Sequence, residues 1–316
     1  MLRAFARLVS FVSPLIVELR PIGPFPRYEF GAAEHTGWRY SLRWNIWRVF
    51  RRFGPGKASI GQRYYFGTRI RQFLGADLSR CLFVGGCYEP NEMHFFTKVL
   101  SPGDVVLDLG ANEGLFTILA AALVGANGAV VAVEPSERER DRLRANVELN
   151  GLATVTIVDR VISDSEGTAQ LHVADPEHAG QNTLGDFVYR DVHAVATTTV
   201  QMTTVDHLAA ELELARLDLV KLDIEGGEAA ALRGAATTIE RHRPAVMFEL
   251  QDSSLQAQGS SAEDVRTYFE AADYELFGFA ADSGELEPVG AATSTNVVAL
   301  PRERATRVVS PSPPPR

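Results

Sequence analysis

The sequence predicts an α/β protein with a doubly wound, mostly parallel β-sheet. Short apolar runs typical of buried strands alternate with helical segments from about residue 104 onward. The first two runs, Val105–Leu109 and Ala129–Val133, enclose an apolar helical segment, Leu115–Val124. The first run contains Asp108, and Glu134 follows the second. Because parallel strands joined by a helix end at the same edge of a sheet, we expect both acids at one edge.

The composition divides the chain into three parts. A chain of 316 residues can bury a large core, so one large domain with an extension is expected. We predict a basic, aromatic-rich extension over residues 1–80, the α/β domain over residues 81–300, and a disordered, proline-rich tail over residues 301–316. The two cysteines, Cys81 and Cys87, suit neither a disulfide framework nor a CxxC metal cluster. They indicate a cytoplasmic protein without a metal site.

Charge is distributed unevenly along the chain. Residues 1–80 carry 14 Lys and Arg against 4 Asp and Glu, whereas residues 81–316 carry 17 against 36. The net charges are therefore +10 and −19, which sum to −9. An acidic body argues against nucleic acid as the main partner. The basic part could face an acidic substrate, an anionic membrane or the body itself.

The N-terminal segment leaves two interpretations open. Residues 1–20 place apolar side chains at helical spacing with arginines between them, but the stretch is too short to span a bilayer. It could lie on a membrane surface as an amphipathic helix, in which case residues 1–20 would make a peripheral membrane contact. Alternatively, it could pack on the body of the protein. Residues 21–57 interleave aromatics with arginine, a pattern that binds sugars or acidic ligands or anchors an extension to a domain surface.

The remaining elements follow from periodicity and turn residues. Helices are predicted over residues 91–100, 137–149, 227–239 and 262–272, the first capped by Asn91. Strands are predicted over residues 155–158, 167–174, 197–203, 217–224, 245–250, 274–279 and 296–300. The segments 167–174 and 197–203 are expected to pair around a loop that contains Gln181, Asn182 and Thr183.

The turn after the first core strand constrains the ligand. It reads Asp108-Leu-Gly110-Ala-Asn112-Glu-Gly114 and matches neither the G-x-G-x-x-G dinucleotide fingerprint nor a phosphate-binding G-x-x-x-x-G-K-[ST] loop. Acids in this turn suit an amine rather than phosphates, which favours S-adenosylmethionine. Glu134 could accept hydrogen bonds from both ribose hydroxyls. Alternatively, Asp108 and Glu134 do not bind a ligand, and their carboxylates are solvated at the strand ends or cap a helix.

Five motifs give the chain a family resemblance. They are Gly86-Cys-Tyr88-Glu89-Pro90, Val106-Leu-Asp108-Leu-Gly110-Ala-Asn112-Glu-Gly114, Glu134-Pro135, Asn146-Val-Glu-Leu-Asn150-Gly151 and Val220-Lys221-Leu-Asp223-Ile-Glu225-Gly226-Gly-Glu228. With them, residues 81–300 resemble the FkbM family of class I S-adenosylmethionine-dependent methyltransferases. Residue 227 is glycine where the family usually has Ala or Ser.

The resemblance implies a Rossmann-like, seven-stranded sheet with an antiparallel last strand, and O-methyl transfer. It also implies that Asp108, Gly110, Asn112 and Gly114 hold the methionine part of the cofactor, and that Glu134 holds the ribose. Residues after the third strand, with Asp159 and Val161, would line the adenine. Tyr88 and Glu89 would cover the sulfonium, a cation that an aromatic face and a carboxylate both suit.

Three acids are the candidates for proton removal from an acceptor hydroxyl. Asp223, Glu225 and Glu228 follow the fourth strand, and their alternative role is to cap and fix the turn there. Lys221 could pair with a neighbouring acid, and Glu249 at the end of the fifth strand is a weaker candidate. His94, His193 and His207 are scattered and are interpreted as surface or packing residues.

The sequence thus predicts an S-adenosylmethionine-dependent O-methyltransferase that acts on a hydroxyl of a small molecule or glycan, either a carbohydrate or a secondary metabolite. The alternatives are a nicotinamide-dependent oxidoreductase, against which the glycine spacing speaks, and a non-catalytic cofactor-binding or scaffold protein. The oligomeric state does not follow from the sequence.

Overall fold

A large central sheet organises the molecule. A computed structural model describes residues 19–25, 38–53, 59–188, 190–290 and 295–309. Its strands are β1 (Ser59–Arg63), β2 (Arg69–Phe73), β3 (Val105–Leu109), β4 (Ala129–Val133), β5 (Val155–Val158), β6 (Val161–Ile162), β7 (Gly167–Ala174), β8 (Ala194–Thr203), β9 (Leu219–Leu222), β10 (Ala245–Glu249), β11 (Tyr274–Phe279), β12 (Leu286–Pro288) and β13 (Asn296–Pro301). Eight of them form the central sheet in the spatial order β12–β11–β13–β10–β9–β3–β4–β5.

The predicted doubly wound, mostly parallel sheet is confirmed. Strands β5, β4, β3, β9 and β10 are parallel to one another, and β13 enters antiparallel between β10 and β11. These seven strands are the expected seven, including the antiparallel last one. The eighth strand, β12, is a short edge strand that pairs with β11 and was not predicted.

Helices cover both faces of this sheet. They are α1 (Trp38–Phe53), α2 (Asp77–Arg80), α3 (Pro90–Val99), α4 (Leu115–Val124), α5 (Glu137–Asn150), α6 (Val205–Glu211), α7 (Glu228–Arg233), α8 (Ala236–His242), α9 (Asp252–Ala257), α10 (Ala262–Ala271) and α11 (Arg302–Val309). Two large apolar clusters lie on opposite faces, one centred on α3 and α4 and the other on α7, α8 and α10. The strands read as continuous apolar runs because both of their faces are buried.

A smaller sheet covers the edge where the parallel strands end. Strands β7 and β8 pair antiparallel as predicted, with β8 beginning at Ala194 rather than at residue 197, and β6 pairs with β8. The short helical segment Pro176–Gln181, which is kinked at His178, and the following loop connect β7 to β8. This connection contributes side chains to the site described below.

Asparagines of α5 attach the N-terminal hairpin β1–β2 to the domain. The Asn146 Oδ1 atom accepts the N–H of Arg71 at 2.7 Å, and the Asn150 Oδ1 atom accepts the N–H of Arg69 at 2.7 Å. Gly151 ends α5 in a left-handed conformation. The asparagines of the Asn146–Gly151 motif therefore have a structural function, which is to pair with the free edge of β2.

Four local predictions were wrong. Glu89, in a left-handed conformation, precedes α3 at the capping position, whereas the Asn91 side chain bonds to the backbone of Phe25. The single helix predicted over residues 227–239 is broken into α7 and α8 at Gly234, where an added Cβ would lie 2.2 Å from the Ser163 carbonyl oxygen.

The other two errors lie in β9 and at the C-terminus. Strand β9 is shorter than the predicted segment 217–224, because the chain turns at Asp223. Part of the predicted disordered tail forms α11, whose Ala305 side chain is buried. Residues 310–316 and most of the segment 1–20 lie outside the described residues, and the boundaries of the predicted extension stay a prediction.

Candidate functional site

A cavity of about 1160 Å³ lies at the edge where β3, β4, β9 and β10 end. Most of the predicted site residues line it: Tyr88, Glu89, Asp108, Gly110, Asn112, Glu134, Val161, Asp223 and Glu225. Gly114, Asp159 and Glu228 do not belong to its wall. The fold therefore brings nine of the twelve predicted residues together in one cavity.

Asp108 lies at the bottom of this cavity and is completely buried. Its Oδ2 atom accepts a hydrogen bond from the Thr117 hydroxyl of α4. No donor among the described residues reaches its Oδ1 atom. Burial raises the pKa of Asp108, and the nearby Lys221 ammonium opposes that shift. The free oxygen is an orphaned acceptor that suits a cationic donor from a ligand.

Glu134 is held in place by backbone donors. Its Oε2 atom accepts the N–H of Asn112 at 2.8 Å, and its Oε1 atom accepts the N–H of Ser136 at 2.9 Å. Burial, and then the neighbouring Glu139, raise the pKa of Glu134 to about 8. Each carboxylate oxygen retains a second lone pair, so both oxygens can accept a further hydrogen bond from a ligand.

The turn between β3 and α4 brings its backbone close to the next strand. Gly110 has φ +81°, and a Cβ built on it would lie 1.8 Å from the carbonyl oxygen of Asp223. Only glycine fits both this conformation and this contact. Gly114 serves packing instead, because its added Cβ would lie 2.6 Å from the Leu143 side chain of α5.

The N-terminal wall of the cavity carries an aromatic residue and a strained acid. Tyr88 packs edge-on against Phe116 with ring centroids 6.5 Å apart. Glu89 has φ 40°, a left-handed conformation that non-glycine residues rarely adopt. Burial raises the pKa of Glu89 well above its usual value, and Glu92 and Asp223 add to the shift. Strain of this kind concentrates at functional sites.

Acids dominate the opposite rim, after β9 and β10. Carboxylate oxygens of Asp223, Glu225 and Glu249 lie within 4.8 Å of one another, a spacing that could also ligate a divalent cation. Burial, then Asp223 and Glu249, raise the pKa of Glu225 well above its usual value. Burial, then Asp223 and Glu228, raise the pKa of Glu249 to about 7.

Lys221 supplies a positive charge to this rim. Its Nζ atom lies 2.8 Å from Asp223 Oδ2 and 5.0 Å from the centroid of the Phe116 ring. Burial alone would lower the pKa of Lys221, but Asp223, Asp108 and Glu89 outweigh it and raise that pKa above its ordinary value. Lys221 therefore stays a cation at neutral pH and is unsuited to act as a base.

Besides Gly114, two predicted residues lie outside the cavity wall. Glu228 is buried, and its carboxylate accepts the N–H of Ile224 at 3.1 Å, so its position fits the alternative of turn fixation rather than a catalytic role. The Asp159 side chain pairs with Arg140 at 2.6 Å and is 61% exposed. Val161, two residues further on, does line the cavity.

Several residues of the cavity wall were not singled out from the sequence. Asp77 of α2 lines the wall and accepts the N–H of Gly180 at 3.2 Å, which fixes the segment Pro176–Gln181 over the cavity. Phe25 and Asn91 close the other end. No periodicity or motif marks these residues, because their approach depends on tertiary packing. Gln181, Asn182 and Thr183, considered as possible acceptor contacts, do line the cavity.

The raised pKa of Glu249 predicts a pH-dependent stability. An unfolded Glu titrates near about 4.3, so between about pH 4.5 and 7 the native state binds more protons at Glu249 than the unfolded state. The free energy of unfolding therefore falls as pH rises through this window. Glu249→Gln should remove this contribution and gain about 1–2 kcal/mol relative to wild type at pH 8 but little at pH 4.

Urea unfolding of the apo protein at both pH values measures this difference. The control is Glu240→Gln, which changes an exposed carboxylate of α8. An equal pH dependence in wild type and Glu249→Gln would contradict the assignment.

Comparison with known proteins identifies the class. The family model described as "Methyltransferase FkbM domain" matches residues 108–276, which are 169 of the 316 residues. The chain belongs to the FkbM methyltransferase family, and S-adenosylmethionine is its cofactor. This membership confirms the predicted resemblance and excludes the nicotinamide alternative. A search of curated proteins by sequence found no match.

Solved structures with a similar fold are distant in sequence. A methyltransferase FkbM from Methylobacillus flagellatus is 12% identical with a TM-score of 0.40, over 82% of this chain and 59% of that one. An S-adenosylmethionine-dependent O-methyltransferase from Thermotoga maritima is 17% identical with a TM-score of 0.38, over 80% and 79%. An rRNA methylase from Streptococcus thermophilus is 14% identical with a TM-score of 0.37, over 66% and 93%.

Proposed function

We propose that this protein transfers a methyl group to a hydroxyl of a small molecule or glycan, such as a carbohydrate or secondary metabolite. The observation that carries the proposal is the acidic rim, where Asp223, Glu225 and Glu249 lie together beside the Lys221 ammonium. When bound, the cofactor supplies an electrophilic methyl group. A hydroxyl acceptor must lose a proton, and this rim provides carboxylates to receive it.

The cofactor residues follow from the geometry of the first two strand ends. Asp108 Oδ1 lacks a donor and would hold the ammonium of the methionine part. The Glu134 oxygens, each with a lone pair left, would accept the ribose hydroxyls. Gly110 and Asn112 would shape the turn around the methionine part, Val161 would line the adenine, and Tyr88 with Glu89 would face the sulfonium.

Proton removal is assigned to Glu249. A general base works best when its pKa lies near the working pH, and the pKa of Glu249 is about 7. Lys221 would stabilise negative charge that develops on the acceptor oxygen, and Asp223 would hold the Lys221 ammonium in place. Glu225 would accept a hydrogen bond from a second acceptor hydroxyl. Positioning the acceptor oxygen supplies much of the remaining rate enhancement.

The charge of the site supports a neutral or cationic acceptor. Glu89, Asp223, Glu225 and Glu249 share the cavity with Lys221, and residues 81–316 carry a net charge of −19. Such a field repels the phosphates of a nucleic acid. This argument favours an uncharged polyol or metabolite over RNA as the acceptor.

Loss of the Asp108 charge should weaken cofactor binding. Asp108→Asn keeps an acceptor for Thr117 but removes the negative charge, so the Kd for S-adenosylmethionine should rise about tenfold to a hundredfold. Stability should not fall, because burial already disfavours the charged carboxylate. Calorimetric titration measures the affinity, with the exposed-turn variant Asp282→Asn as control. An unchanged affinity would show that the ammonium binds elsewhere.

Labelled transfer tests the proposed function itself. The protein is incubated with methyl-labelled S-adenosylmethionine and a cell extract separated into small-molecule, glycan and RNA fractions. We expect label in a small-molecule or glycan fraction. Label confined to RNA would refute the proposed acceptor class. Cofactor binding without transfer to any fraction would favour the non-catalytic alternative.

A further inference from the structure

We propose that the outer face of α1 binds an anionic membrane surface. The inference does not depend on the proposed function. Of the large apolar side chains that are exposed among the described residues, four belong to α1: Trp38, Leu42, Trp44 and Val49. The other three, Phe66, Val188 and Val195, belong to other elements and loops.

Three of these residues form a stripe on the side of α1 opposite the buried Trp47, whereas Trp44 lies about 120° from Trp38 and lines a small cavity against the domain. At about 100° per residue, Trp38, Leu42 and Val49 fall within about 40° of one another around the helix. They are 73%, 37% and 43% exposed. Trp47 lies about 180° from Trp38 on the same wheel. It is 3% exposed and packs in a core cluster with Ile60.

Trp47 therefore fixes the rotation of α1. Tyr40 lies about 20° from Trp47 around the helix and packs against the same cluster. Ile46, which lies between Trp47 and the stripe on the wheel, packs against that cluster as well. The outer stripe has no comparable neighbour within the cluster. Trp47 anchors one side of α1 in the protein, and the opposite side exposes apolar residues. This arrangement is typical of a helix that lies in a membrane interface.

The charge of α1 selects an anionic surface as the partner. The sequence Trp38–Phe53 contains five arginines and no Asp or Glu. Residues 1–80 carry a net charge of +10, in contrast to −19 for residues 81–316. Anionic lipids attract the arginines of α1 and repel the acidic body, which favours an orientation with α1 toward the membrane. Tryptophan is enriched at the membrane interface, where its amphipathic ring suits the headgroup region.

A second copy of the chain is a weaker partner for this stripe. Among the described residues outside α1, Phe66, Val188 and Val195 form no matching stripe, so the matching surface of a second copy would be its own α1. That contact would place five arginines of one copy against five of the other, which like-charge repulsion opposes. No helix in the described part of the chain is long and apolar enough to cross a membrane. The contact is therefore with the membrane surface.

Membrane contact would hold the site close to the bilayer. Trp44 and Arg48 of α1 line a small cavity together with Asp77, Arg80 and Glu177. The last three also line the large cavity. Only α2 and the segment after β7 separate α1 from the site, so an acceptor at the membrane surface would have a short path to it.

Vesicle flotation tests the proposal. The full-length protein is mixed with vesicles of phosphatidylcholine alone or with about one-third phosphatidylglycerol, at low and high salt. We expect flotation with the anionic vesicles, weakened by salt. The double variant Trp38→Ser/Leu42→Ser should lower the bound fraction at limiting lipid at least about fivefold. Arg48→Gln should lower the bound fraction at low salt and reduce its dependence on salt, because one cationic contact with the lipid is lost. The control is Phe66→Ser/Val195→Ser, which removes exposed apolar side chains elsewhere.

Each outcome decides the proposal. Equal flotation of wild type and the Trp38→Ser/Leu42→Ser variant would overturn it, as would an equal loss in the control variant. Loss of flotation in Phe5→Asp alone would assign the contact to residues 1–20 instead. A concentration-dependent dimer in sedimentation that only the α1 variant abolishes, without flotation of wild type, would identify a second copy as the partner. Unchanged thermal unfolding confirms that the variants fold.

Discussion

Glu249→Gln is expected to lower kcat by about two to four orders of magnitude, the usual contribution of a positioned general base. Glutamine is close in shape to glutamate but cannot accept the proton of an acceptor hydroxyl. The pKa of Glu249 is about 7, close to neutral pH, and its side chain lines the cavity. Steady-state kinetics on the acceptor found by labelled transfer measures the effect.

Cofactor binding separates this role from a structural one. Glu249 lies at the end of β10, away from Asp108 and Glu134, so Glu249→Gln should leave the Kd for S-adenosylmethionine within about threefold of wild type. The wild-type kcat should rise with pH as a group with a pKa of about 7 loses its proton. The pH profile of the variant should lack this ionisation. The Glu240→Gln control should match wild type. A kcat within a factor of three of wild type would exclude Glu249 as the base.

Gly110→Ala is expected to cost about 3 kcal/mol or more of folding stability. Two penalties combine at this position. The backbone has φ +81°, which disfavours a side chain, and the new Cβ would lie 1.8 Å from the Asp223 carbonyl oxygen. Relief requires movement of β3 or of the turn after β9, so the acceptor rim should be displaced as well. Urea unfolding measures the loss.

Gly103→Ala provides a matched control for the two penalties. Gly103 has φ +94°, but no heavy atom would lie within 4 Å of its added Cβ. Its substitution should therefore cost about 1 kcal/mol, the backbone penalty alone. The difference between the stability losses of the two variants measures the cost of the steric contact between the new Cβ at residue 110 and Asp223. Equal losses in both would mean that the turn adapts without strain.

The sequence predicted the sheet well because its strands are buried on both faces. Tyr274–Phe279 and Val155–Val158 were predicted with the bounds that the structure has, since turn residues flank each apolar run. The break at Gly234 was missed because it depends on the Ser163 carbonyl oxygen, a tertiary neighbour. Residues 302–309 were predicted to be disordered because the C-terminal segment is rich in proline. Composition does not show that these residues form α11 or that Ala305 is buried.

The site was predictable where it follows strand ends. Asp108, Glu134 and Asp223 adjoin three neighbouring parallel strands, so topology alone brings them to one edge. Glu228 shows the limit of this reasoning, because whether an acid after a strand faces the ligand or the turn depends on local backbone direction. The contributions of Asp77 and Phe25 depend on how distant segments fold over the cavity, which no local pattern encodes.

The atom of the acceptor that receives the methyl group distinguishes O-methyl transfer from the other methyl-transfer reactions. The protein is supplied with S-adenosylmethionine labelled with carbon-13 in its methyl group and with the acceptor from the extract. The product is then examined by carbon–proton correlation NMR. We expect a methoxyl carbon on a small molecule or glycan, formed by wild type and strongly reduced in Glu249→Gln. A methyl carbon bonded to nitrogen or carbon, or formed equally by the variant, would contradict it.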